Sequence, residues 1–131
     1  MLFLDIARGR RQKLADKIYN IGVEATMAVI GGKWKPIILC NLRHSALRPS
    51  ELRRKIPRIS QKMLTQQLRE LEEADIVDRK SYNQVPPKVE YALSEYGETL
   101  GELLDGLCAW GEMHVNTLKV KGEHVVLLNE A

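Results

Sequence analysis

Between Ile76 and Leu93 the apolar pattern of this 131-residue chain changes period. On either side, apolar residues recur three and four apart, the spacing that lines one face of a helix. From Ile76 to Tyr82 and from Lys88 to Leu93 the character is that of strands. Val89, Tyr91 and Leu93 alternate with Lys88, Glu90 and Ala92, which sends them to opposite faces of a pleated ribbon. Between the two runs lies Asn83-Gln84-Val85-Pro86-Pro87, and two prolines cannot continue a hydrogen-bonded ladder. The segment is therefore an extended, stiff tip. The chain is read as mainly α with one small β-ribbon.

The helical part divides at its breakers. Residues 11–19 suit a short basic helix, with Leu14 and Ile18 four apart. Val23 to Ile30 forms a second, with Val23, Met27 and Ile30 on one side. Gly31-Gly32 stops it, Gly31 being expected as the left-handed residue. The next helix runs from Lys33 through Leu42 with Pro36 in its first turn, and Trp34, Ile37, Ile38 and Leu42 point one way. Trp34 is expected as a core anchor. A short helix, Ser50 to Ile56, follows Pro49 and is halted by Pro57. Ser60 then reads as the N-cap of a helix to about residue 74, with Ile59 stapled onto Leu64 and Leu64, Leu68 and Leu71 buried. Ser94 reads as the cap of a last long helix, with Glu95 and Glu98 near its positive end.

The "GGK" at residues 31–33 invites a phosphate-loop reading, which fails. Such a loop needs a glycine where Met27 stands and Ser or Thr where Trp34 stands. Cys40, Cys108, His44, His114 and His124 lack paired metal-ligand spacing, so no metal and no cofactor are expected. No nucleophile elbow or triad order is visible, and an enzyme is not expected. The 44% apolar content serves one core, no apolar run is long enough for a membrane span, and the start is the reverse of a secretory signal. Two cysteines make no disulfide framework, so the expected setting is the reducing cytoplasm.

Net charge is only +3, but it is unevenly spread. Residues 1–58 hold 13 Lys/Arg against 4 Asp/Glu, and residues 91–131 hold 2 against 7. One surface suits a polyanion while another faces away from it. From Val23 on, the order of four helices, a ribbon and a long helix is the layout of a winged helix-turn-helix. With Leu64, Leu68 and Leu71 turned inward, helix 60–74 turns Lys62, Thr65, Gln66, Arg69 and Glu73 outward. Arg bonds guanine in bidentate fashion, Gln bonds adenine, and the Thr methyl touches thymine. An ordinary solvated face has the same composition. The basic helix before it and the ribbon after it favour double-stranded DNA as partner. Thr65, Gln66 and Arg69 are expected to read bases. Ser60, Gln61, Lys62, Arg79, Lys80, Asn83, Gln84 and Lys88 are expected on phosphates or in the wing.

Several segments together resemble the HxlR-type winged helix-turn-helix regulators, relatives of the MarR group. They are "VIGGKWKPIIL", "SELRRKIPRISQKMLTQQLRELEEADIVDRK", "VPPKVEYALSEYGETL" and "LCAWG". The resemblance implies a homodimeric transcription factor on a near-palindromic operator, with repression the expected sign. It implies dimerisation through the first helices and the long C-terminal helix, which assigns Val23, Met27, Leu100, Leu103, Leu104, Leu107, Trp110 and His114 to the interface. The expected division is a basic arm (1–20), a DNA-binding domain (21–94), a dimerisation helix (95–119) and a tail (120–131). Two departures stand out. Many members begin Cys-Pro-Val-Glu, and some sense oxidants with that thiol, but here the matching residues are Ile21-Gly22-Val23-Glu24. A sensing role would then fall to Cys40 or Cys108. Asp75 stands where the family usually closes the recognition helix with Gly, and Asp tolerates the left-handed turn better than most residues. Alternatives from other classes are a winged-helix protein-interaction module docking through acidic helix 95–119, and a thiol or small-molecule sensor whose inducer the sequence does not name.

Overall fold

The computed structural model describes residues 16–129. Among them the order is α1 (Gly22–Ile30), α2 (Trp34–Asn41), α3 (Pro49–Lys55), α4 (Gln61–Glu73), β1 (Val77–Tyr82), β2 (Lys88–Leu93), a 3-10 turn (Gly97–Leu100) and α5 (Gly101–Val120). The predicted basic helix 11–19 falls mostly outside these residues, and Asp16–Tyr19 form no helix. No helix among the described residues is long and apolar enough to cross a membrane.

The core gathers one face from each element: Ile38, Leu39 and Leu42 of α2, Leu52 of α3, Leu64, Leu68 and Leu71 of α4, Val77 and Leu93 of the ribbon, and Leu104 of α5. Trp34 packs against its edge, and the Lys33 ammonium sits 4.6 Å above the indole centroid. Gly31 is not the left-handed residue. It is extended at φ −70°, and its N–H closes α1 on the Met27 carbonyl, so a Cβ there would lie 2.3 Å from that oxygen. The left-handed turn falls on Gly32 at φ +88°.

Helix α4 is held at both ends. Ser60 Oγ accepts the Met63 N–H at 3.0 Å, and Ile59 is buried with Leu64 as a staple requires. At the far end Asp75 takes φ 63°. The Asp75 N–H then bonds the Glu72 carbonyl and the Ile76 N–H bonds that of Leu71, while Ile76 and Leu71 are both buried. This is a Schellman closure with aspartate at the left-handed position.

The strands pair antiparallel from Val77 opposite Leu93 to Tyr82 opposite Lys88. β2 does not show the expected alternation of inside and outside, because residues 88–92 are all half-buried. Leu47, just before α3, adds an isolated bridge to the ribbon: its N–H and C=O both bond Tyr91, at 2.9 and 2.8 Å. Ser94 is buried at the ribbon's base. Its Oγ donates to the Asp75 carbonyl at 2.6 Å and accepts the Gly97 N–H at 2.8 Å. Its cap therefore opens the 3-10 turn, and regular α-helix begins only at Gly101. Arg43, just past α2, ties α5 down through a two-point pair with Asp105 at 3.1 and 3.2 Å and a bond to the Gly101 carbonyl.

Candidate nucleic-acid interface

Burial of the leucine stripe turns Gln61, Lys62, Thr65, Gln66, Arg69 and Glu73 to solvent on one convex face of α4. Two hydrogen bonds one turn apart order that face. Gln61 Nε2 donates to Thr65 Oγ1 at 3.3 Å, and Gln66 Nε2 donates to Glu70 Oε2 at 3.2 Å. Glu70 Oε1 accepts in turn from the Lys35 ammonium of α2 at 2.5 Å. The hydrogen bond from Lys35, then that from Gln66, holds the Glu70 carboxyl below its ordinary range. Lys62 and Arg69 form no ion pair with other described residues, so both charges stay available. Arg53, Arg54, Lys55 and Arg58 are exposed on the segment leading to Ser60, and Arg54 and Lys55 lie toward α5 beside Leu107 and Cys108.

The ribbon contributes less uniformly than expected. Arg79 and Lys80 are exposed, but adjacent strand residues point to opposite faces, so they flank the wing rather than share a side. The Lys88 ammonium lies 4.8 Å above the Tyr82 ring and 3.5 Å from Glu90 Oε2, while the Tyr82 hydroxyl donates to Glu90 Oε1 at 3.1 Å. Lys88 is thus half-buried with its charge shared, not a free cation like Lys62. Asn83 and Gln84 are exposed at the tip.

α5 presents Leu103, Leu107, Trp110 and Met113 to solvent, and the Trp110 and His114 rings stack at 5.0 Å. Val23 and Met27 of α1 are likewise more than half exposed, at 55% and 53%. One residue assigned to this apolar face does not belong to it: Leu104 is 1% exposed in the core, while Leu100 is half-buried against that core.

Cys40 and Cys108 are half-buried free thiols that neighbour each other between α2 and α5, and Cys40 Sγ donates to the Leu104 carbonyl at 3.8 Å. Burial, then the neighbouring Cys108 thiol, then the charge of Asp105 push the Cys40 thiol up to about 12. It is a protonated, poorly nucleophilic group at neutral pH. Among the described residues, no cluster of three or more His, Cys, Asp or Glu side chains could hold a metal ion.

Sequence reasoning missed Lys35, Glu70, Tyr82 and Glu90. The spacing of Gln66 and Glu70, four apart on one helix, could have revealed their bond. The pairing of Lys35 with Glu70 and the nearness of the two cysteines depend on how the helices pack.

A helix presented by a two-helix scaffold beside a basic antiparallel ribbon defines a winged helix-turn-helix, here extended by a long C-terminal helix. The chain belongs to the HxlR-like helix-turn-helix family, whose model matches residues 29–119, and so to a family of DNA-binding transcriptional regulators. The HTH-type transcriptional regulator YtcD of Bacillus subtilis is 60% identical over 115 residues, covering 88% of this chain and 90% of YtcD. A crystal structure of ytcD superposes with a TM-score of 0.69 at 61% identity, over 73% of this chain and 98% of that one. The redox regulator HypR in its reduced form gives 0.70 at 49% identity, over 75% and 97%.

Proposed function

We propose that the chain binds a near-palindromic operator as a homodimer in the cytoplasm and represses transcription by occupying a promoter. The carrying observation is the outward face of α4, where Lys62 and Arg69 are exposed cations beside Thr65 and Gln66 over a fully buried leucine stripe. In this reading Arg69, Gln66 and Thr65 address base edges in the major groove, while Ser60, Gln61 and Lys62 meet phosphates at the helix start. Arg79, Lys80, Asn83 and Gln84 follow the flanking backbone, and Lys88 contributes less because Glu90 shares its charge. The dimer forms through the α5 stripe of Leu103, Leu107, Trp110 and His114, with Val23 and Met27 alongside. Two copies are needed because one short recognition helix reads too few base pairs for useful specificity.

The test is Arg69→Ala against duplexes selected from a random pool. It should cost about 1–3 kcal/mol and relax preference at one base pair of each half-site. An equal loss on every sequence removes Arg69 from base reading. A wild-type protein that selects no sequence, and whose weak binding ignores salt, sinks the DNA-binding assignment in favour of a protein-docking module.

A further inference from the structure

We infer that Glu70, anchored by Lys35, is a positioning residue that sets which end of the Gln66 amide meets the DNA, and so biases the base that Gln66 contacts toward adenine or cytosine, whose edges carry an exocyclic amine. The inference rests on α4 reading bases and concerns how one of its readers is oriented.

An ionised carboxylate has no proton to donate, so the group that bonds it must be a donor. Glu70 already accepts from Lys35 through Oε1, and only the NH2 end of Gln66 can satisfy Oε2, at 3.2 Å. The chemistry of the partner thus fixes the amide orientation. The Gln66 carbonyl is directed away from Glu70, leaving one N–H and one oxygen available. That pair matches adenine, which offers N6–H as donor and N7 as acceptor, and the carbonyl alone matches the N4–H of cytosine. The guanine edge offers only the acceptors N7 and O6, and the neighbouring carboxylate would repel both.

Lys35 is what makes an acid tolerable here. Its side chain is only 17% exposed, so the ammonium stays on Glu70 instead of roaming in solvent. It emerges from the rigid scaffold helix α2, not from α4, which ties the amide's orientation to the body of the fold. Lys35 also offsets a negative charge that would otherwise face the phosphates.

The experiment compares wild type with Glu70→Gln, Lys35→Met and Gln66→Ala in selection from a random duplex pool, followed by binding to the selected site and its single-base variants. Glu70→Gln keeps the size of the side chain but can donate as well as accept, so it no longer dictates the amide. The expected result is about a tenfold loss of discrimination at the single base pair that Gln66→Ala also relaxes, with preferences elsewhere intact. Lys35→Met should relax the same position, and adding Glu70→Gln to Gln66→Ala should cost no further discrimination there. If Gln66→Ala erases a preference that Glu70→Gln leaves whole, Glu70 does not position the amide while base reading by α4 stands. If Gln66→Ala changes no preference, Gln66 is not a reader and the inference falls with that assignment. A uniform change of affinity on all sequences in Glu70→Gln marks a mere effect of charge and also overturns it.

Discussion

Replacing Ser94 by alanine tests whether the joint between α4, the ribbon and α5 is a buried polar knot. In the wild type, Ser94 Oγ accepts the Gly97 N–H and donates to the Asp75 carbonyl, at a residue only 7% exposed. Alanine leaves the Gly97 donor without an acceptor where water has little access, which costs about 1–3 kcal/mol. Loss of the bond to Asp75 adds about 1 kcal/mol. The Ile76 carbonyl keeps the Ser94 N–H at 2.9 Å, so that part of the joint survives. The sum is about 3 kcal/mol, or roughly 10 °C in midpoint for a domain of this size. Ser60→Ala is the control, because the same residue type caps α4 in an exposed position and should cost about 1 kcal/mol. Urea unfolding followed by circular dichroism at one fixed protein concentration measures both. Equal losses for the two variants, or less than 1 kcal/mol for Ser94→Ala, would refute the buried knot.

Leu104→Ala should cost about 2–5 kcal/mol of unfolding free energy, since Leu104 fills the protomer core. Leu107→Ala should cost far less in unfolding but weaken self-association in sedimentation, and the reverse ranking would dissolve the distinction between the two faces. Asp75→Val should lose about 1–3 kcal/mol, because a β-branched side chain is strained at φ 63°, and a chemical melt that shows no loss contradicts this. The Cys40 thiol is pushed up to about 12, above its ordinary value near 9, so the neutral form is favoured in the folded state. The stability it contributes is complete below about pH 9 and is lost as pH rises toward 12. Cys40→Ala should flatten that alkaline slope, and urea midpoints at pH 8, 9.5 and 10.5 check it.

Helix α4 was legible because three signals coincide in it: a leucine stripe at helical spacing, a serine cap and a staple. Asp75 was legible through the family resemblance, which places the closing turn there, and aspartate tolerates that conformation better than most residues. The adjacent glycines were not separable, because which of them takes positive φ depends on where the Gly31 N–H finds the Met27 carbonyl. The apolar side of α5 posed a different difficulty. One continuous stripe serves the protomer core through Leu104 and the outer surface through Leu103 and Leu107, and periodicity alone cannot divide it. Glu95 and Glu98 suggested a helix start at Ser94, but Ser94 turns its hydroxyl to the end of α4 and delays regular helix to Gly101. In the candidate interface, residue types announced the outward cations. The neutralising pairs of Lys88 with Glu90 and of Lys35 with Glu70 arise only when strands and helices meet.

The two hydrogen bonds between Leu47 and Tyr91 have a consequence for recognition itself. They close the chain into a circuit that contains α3, α4 and β1, with its ends stapled where the wing meets the scaffold. The entropy of arranging α4 and the ribbon relative to each other is therefore spent on folding, before any DNA is met. Within this circuit, association has rotamers and the ribbon tip left to order, so more of the contact energy remains as affinity. A free hairpin would have to find its place on the duplex anew at every encounter.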